Sequence, residues 1–94
     1  MAEMPFFDIF QNSLAVFDRA KKGDGYAVSK ICYGYVKNKD GFKLLLGDLI
    51  DLCRQNLSEK TAKIIKVCED YTDLLNTNVN MNLCVENFSV DAAK

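Results

Sequence analysis

The chain has 94 residues, the length of one domain, and at this size its apolar helices are all needed to close a core. Apolar residues make up 49% of it, which is typical of a globular protein and excludes a disordered tail. No apolar run is long enough to span a membrane, and the first residues lack the basic region of a signal peptide. Together with four cysteines that are expected to be reduced, this predicts a cytoplasmic protein.

The net charge of −1 hides an asymmetry along the chain. The segment from Arg19 to Lys43 carries seven basic and two acidic residues, whereas the remaining five bases face eleven acids. Such a split permits an anionic partner, although a solvated charged surface gives the same pattern.

Amphipathic periodicity predicts an all-α, four-helix bundle-like domain of residues 1–94, with helices at about 5–22, 25–37, 41–57 and 59–75. We expect Pro5 in the first helical turn and Gly23 at the end of that helix. Asp24, Asp40 and Ser58 are the expected N-caps of the other three.

The third predicted helix is the one around which the domain is organised. Its apolar residues recur at steps of three and four and form one wide stripe: Phe42, Leu45, Leu46, Leu49, Leu52, Cys53 and Leu57. On the first helix the predicted inward face consists of Phe6, Ile9, Phe10, Leu14, Phe17 and Ala20.

The second predicted helix has two chemically distinct faces. Val28, Ile31, Cys32 and Tyr35 form the inward face, and the opposite side carries Tyr26, Lys30, Tyr33 and Lys37. Two lysines between two tyrosines can bind a phosphate and stack on a base, which predicts a site for an anionic ligand. Alternatively, the tyrosine rings cover neighbouring apolar surface and only their hydroxyls reach water.

The fourth predicted helix has an unusually wide apolar arc, because Val67 and Leu74 lie beside its inward stripe. Leu44 on the third helix also lies off the stripe. These three residues are the predicted interface of a homodimer, unless the C-terminal segment folds back over Val67 and Leu74.

Residues 76–94 change character, since asparagine alternates with apolar residues from Asn76 to Leu83. Asparagine is a poor strand former and no second strand exists to pair with this one. We predict an extended or irregular C-terminal arm, and the alternative is that it contains a short helix near Cys84 to Ala92.

Several kinds of chemistry are missing from the sequence. It has no histidine and four cysteines without a CxxC pair, so we expect neither a zinc site nor a nucleophilic triad. The cysteines are predicted to be reduced core residues and not disulfides. The pairs Asp48/Asp51 and Asp70/Asp73 lie on polar faces, where carboxylates are solvated and untuned for acid–base catalysis. We expect a non-enzyme without a cofactor.

Three stretches resemble parts of an EF-hand loop: Phe17–Tyr26, with its F-D and G-D-G steps, Asn38–Phe42, with its D-G step, and the asparagine-rich Asn76–Phe88. The resemblance implies a degenerate adaptor, similar to calmodulin or a myosin light chain, that grips a partner helix. The pattern departs from the family at Val36, which would occupy the first ligand position. Gly47 or Asn87 would replace the bidentate glutamate at the twelfth position, so calcium binding is not implied.

The sequence thus favours a small helical binding protein, of a regulatory or inhibitor type, that acts by protein–protein interaction. The alternative is a binder of a nucleotide or nucleic acid through the lysine and tyrosine face of the second helix.

Overall fold

The computed structural model describes residues 6–94, with side chains from Asp8 onward; Pro5 and the side chain of Phe6 lie outside the described part. The helices are α1 (Phe6–Lys21), α2 (Gly25–Cys32), α3 (Lys39–Gln55), α4 (Glu59–Leu75) and α5 (Met81–Ala93), with a 3₁₀ turn at Tyr33–Tyr35. No strand occurs within residues 6–94. The predicted all-α, bundle-like domain is confirmed.

The predicted extended or irregular arm is wrong for residues 81–93, which form a fifth helix; this helix contains the short one that the sequence left open near Cys84 to Ala92. Only the connector of residues 76–80 is irregular. Asn80 is the N-cap of α5, and its side-chain oxygen accepts a hydrogen bond from the Leu83 amide at 3.2 Å. Asn76 at the end of α4 and Asn80 at the start of α5 therefore lie at helix boundaries, where asparagine is favoured.

The other helix starts agree with the sequence, with one exception. Asp24 accepts from the Ala27 amide at 3.1 Å, and Ser58 forms a capping box with Thr61, as the preference for these residues at N-caps predicts. The N-cap of α3 is Asn38 and not Asp40; its side chain accepts from the Gly41 amide at 2.9 Å. Gly23 closes α1 with a φ of 76°, a conformation open to glycine at little cost.

Helix α3 is the centre of the core, as predicted. Phe42, Leu45, Leu46, Leu49 and Cys53 are fully buried. Leu57, however, is exposed, because α3 ends at Gln55 and the stripe stops with it. From α5, Phe88 packs edge-on against Phe42, with ring centroids 5.6 Å apart.

The inward face of α1 differs from the predicted one. Ile9, Ser13, Val16 and Ala20 are buried, whereas Phe10 and Leu14 are exposed. The buried hydroxyl of Ser13 is satisfied, since its oxygen lies 3.0 Å from the Ile9 carbonyl oxygen and 3.2 Å from that of Leu45. Helix α1 is therefore rotated relative to the face that hydropathy predicts, and a hydrogen-bonded serine lies at its contact with α3.

All four cysteines are buried and free, as predicted for core thiols. Burial raises the pKa of Cys32 to about 12 and that of Cys53 to about 11. The thiols stay protonated at neutral pH and behave as small apolar side chains.

The stretches that resemble EF-hand loops do not form such loops. Asp18 to Lys21 belong to the last turn of α1, and α2 begins at Gly25. Asp40 lies inside α3, and the connector before α5 comprises only residues 76–80. None of these connectors has the length of a 12-residue calcium loop.

A candidate binding cleft between α2 and α5

The predicted basic and aromatic face of α2 lies at the protein surface. The side chain of Tyr26 is 74% exposed and that of Tyr33 is 40% exposed, and Lys30 and Lys37 are exposed as well. The ammonium of Lys30 lies 5.2 Å from the centroid of the Tyr26 ring, within the range of a cation–π contact. Tyr26 and Lys30 are therefore a contacting pair, as their spacing of four residues predicts.

Lys37 is separated from this pair by the 3₁₀ turn. The chain advances by about 120° per residue in a 3₁₀ helix instead of about 100° in an α-helix. The line of side chains predicted for one continuous helix is therefore broken between Tyr33 and Lys37. The same turn directs Tyr35 into the core, where its hydroxyl accepts a hydrogen bond from the Asn12 amide nitrogen at 2.7 Å.

An open cleft of about 350 Å³ runs between α2 and α5, and we call it the α2/α5 cleft. One side is lined by Gly25, Tyr26, Ser29 and Tyr33, and the other by Glu86, Asn87, Ser89 and Val90. Val90 is 58% exposed, so an aliphatic surface faces the two aromatic rings. The sequence did not indicate this cleft, because the helix that forms its second side was predicted as an arm.

Glu86 is the charged group of the α2/α5 cleft. The pKa of the Tyr33 hydroxyl is raised above its ordinary value, first by desolvation and then by its interaction with the negatively charged Glu86 carboxylate. A carboxylate at this position repels an anion, so the cleft itself is better suited to an uncharged or cationic group.

The predicted interface residues are partly accessible. Leu44 and Leu74 are exposed, whereas Val67 is half-buried and packs against the core. Helix α5 lies along this flank of α4, since the Tyr71 hydroxyl donates to Asp91 at 2.6 Å and the Tyr71 ring packs edge-on against Phe88. The C-terminal segment therefore covers part of the surface that the sequence left open, and Leu74 stays exposed.

The two carboxylate pairs differ in their environments, and the prediction that both are solvated is wrong for Asp48. Asp48 is half-buried, and its pKa is raised by burial and then by the charge of Asp51. Asp70 forms an exposed ion pair with Lys66 at 3.0 Å. Within residues 6–94 no group of three or more cysteine, aspartate or glutamate side chains could hold a metal ion.

Comparison of the chain with protein-family models, with curated proteins and with solved structures finds no match. In the described part of the chain, no helix combines the length and apolar character needed to cross a membrane. The fold and the α2/α5 cleft thus define the protein at the level of its class, a small all-α domain with an open, aromatic-lined cleft.

Proposed function

We propose that the protein is a non-enzymatic, regulatory or inhibitory binding protein, and that the α2/α5 cleft receives a partner protein. The supporting observation is the convergence of Tyr26, Tyr33 and Val90, all exposed, around one open cleft. Tyrosines are enriched among the residues that dominate protein–protein binding energies, because they add large apolar area at a small entropic cost. The buried, protonated thiols fit a protein of the reducing cytoplasm.

Affinity capture from an extract of the source organism tests this proposal. Immobilised wild-type protein is compared with two variants. Tyr26→Ala/Val90→Ser removes one exposed apolar side chain from each side of the cleft, and Leu57→Ser is the control. Leu57 is a matched control because it is an exposed apolar residue after α3, outside the cleft. A partner retained by the wild type and by Leu57→Ser, but lost from the double variant, supports the proposal. Equal retention by all three proteins contradicts it.

A second candidate function is binding of an anionic ligand, a nucleotide or a nucleic acid. The Lys30–Tyr26 contact favours it, since the ammonium and the ring lie together on the surface. A labelled single-stranded oligonucleotide is the probe. Lys30→Glu with Lys37→Glu should abolish its binding, and Tyr33→Ala should weaken it by about 1–3 kcal/mol if the ring stacks on a base. Affinity that does not change with salt concentration excludes this function.

Self-association is a separate question, for which Leu44, Val67 and Leu74 are the candidate contacts. Sedimentation velocity at tens of micromolar decides it. A homodimer should become a monomer in Leu44→Lys/Leu74→Lys, whose side chains are exposed. A wild-type monomer excludes the homodimer.

A further inference from the structure

A second concave surface lies on the opposite flank of α5, where this helix meets α4. This α4/α5 groove has a volume of about 430 Å³. Ile64, Val67 and Ala92 form its apolar floor, and Lys63, Lys66 and Lys94 form its rim. Ile64 and Ala92 are buried side chains of the core, so the floor is fixed by the packing of the two helices.

The charge of the α4/α5 groove is predominantly positive. Three ammonium groups line it, together with one carboxylate, that of Asp91. Both oxygens of this carboxylate have partners: one accepts from the Tyr71 hydroxyl at 2.6 Å, and the other lies 3.4 Å from the Lys94 nitrogen. The carboxylate of Asp91 therefore already has a hydrogen-bond partner and an ion-pair partner within the protein.

The lysines themselves remain available to a partner. Lys66 and Lys94 pair with aspartates of their own helical segments, but their side chains are largely exposed, and such pairs contribute little. Lys63 has no acidic partner within 4.0 Å among residues 6–94. An incoming carboxylate can therefore bind these ammonium groups without breaking a buried interaction.

We propose that the α4/α5 groove binds an acidic segment of a partner protein, which places one aliphatic side chain on the floor between carboxylates that face the rim. The apolar floor selects the aliphatic group, and the lysines select its acidic neighbours. The groove is open to solvent, whereas small-molecule sites bury about 70–90% of their ligand, so a peptide that keeps one side in water fits better than an acyl chain. This site is independent of the α2/α5 cleft.

The test uses a fluorescein-labelled peptide with one leucine between two pairs of glutamates, and fluorescence anisotropy reports its binding. Lys63→Glu/Lys94→Glu should raise the Kd by about tenfold or more, because two attractive charges become repulsive. The matched control, Lys21→Glu/Lys22→Glu at the exposed end of α1, makes the same change in net charge outside both the groove and the α2/α5 cleft, and it should leave the Kd within about twofold. Circular dichroism verifies that the variants keep their helicity.

Two further comparisons separate the apolar contribution from the ionic one. Val67→Thr keeps the shape of the floor but adds a hydroxyl, and it should weaken binding of the leucine peptide. A peptide with serine in place of leucine should bind the wild type more weakly than the leucine peptide does, because it cannot use the floor.

The proposal is overturned if both double-lysine variants lose the peptide equally, since binding is then non-specific, or if neither variant affects it. It is also overturned if the serine peptide binds as well as the leucine peptide. Binding of anionic phospholipid vesicles, but not of the peptide, would assign the groove to a membrane surface instead. A change in sedimentation caused only by Lys63→Glu/Lys94→Glu would assign it to a second copy of the chain.

Discussion

Substitution of Phe88 by alanine tests whether α5 is an integral part of the core. Phe88 is fully buried, and its ring packs edge-on against both Phe42 and Tyr71, at centroid distances of 5.6 and 5.5 Å. Truncation of a buried phenylalanine to alanine costs about 3–5 kcal/mol, from lost transfer energy and from the cavity that remains. A domain of this size has a total unfolding free energy of about 5–15 kcal/mol, so Phe88→Ala removes a large fraction of it.

Urea unfolding followed by circular dichroism measures this effect. With an m-value of about 1.5 kcal/mol/M, the midpoint should fall by roughly 2–3 M. Leu83→Ala is the matched control on the same helix, because Leu83 is 55% exposed and its truncation should change stability by less than about 0.5 kcal/mol. Phe88→Leu should give an intermediate loss, since it keeps apolar volume but not the ring contacts. Equal losses for Phe88→Ala and Leu83→Ala would refute the docking of α5 and restore the irregular arm.

Two other predictions concern the thiols and the turn at Gly23. Folding raises the pKa of Cys32 to about 12 and that of Cys53 to about 11, from about 8.5 in the unfolded chain. The contribution of these protonated thiols to the unfolding free energy is therefore complete below about pH 8.5, and it is lost as the pH rises towards the folded pKa values. Under reducing conditions the unfolding free energy should therefore fall above about pH 8.5, by up to about 1.4 kcal/mol per pH unit and thiol; a constant value between pH 8.5 and 10.5 would contradict this. Gly23→Ala should destabilise by about 1–2 kcal/mol, because φ is 76° and the new Cβ would lie 3.3 Å from the Ala93 carbonyl oxygen. The control is Gly47→Ala in the middle of α3, where the added Cβ would have no neighbouring atom within 4 Å; it should stabilise the protein by about 0.5–1 kcal/mol. Thermal melts measure both variants, and equal effects would show that the turn at Gly23 carries no strain.

The helices that could be predicted are those in which hydropathy alone determines the buried face. The stripe of α3 from Phe42 to Cys53 is of this kind, because its buried residues are all apolar apart from Gly41. In α1 the pattern was misleading, since Ser13 is buried with a satisfied hydroxyl while Phe10 is exposed. Ser13 can be buried because its hydroxyl reaches the carbonyl oxygens of Ile9 and Leu45, and a single sequence does not display such contacts.

The full extent of α5 was not predicted, and only a short helix near Cys84 to Ala92 was left open, because two signals competed. Its buried apolar residues Cys84, Val85, Phe88 and Ala92 have helical spacing, but Leu83 and Val90 on the outer face weaken the contrast between the faces. The asparagines before it gave the stronger period-two pattern. For the same reason the candidate sites were incomplete: Tyr26 and Tyr33 were recognised as outward-facing, but the segment that carries Glu86 and Val90 was predicted as an arm, and its packing against α2 was not predicted.

The contact between α2 and α5 has a consequence for the thermodynamics of binding. A Cβ added at Gly25 would lie 3.3 Å from the Ser89 carbonyl oxygen and 3.4 Å from the Ala93 Cβ, so the two backbones approach closely at this end of the cleft. Because backbone positions and not flexible side chains set the distance between the helices, the walls that carry Tyr26 and Val90 are pre-organised. Association at such a surface loses little conformational entropy, and a larger share of the contact energy remains as affinity.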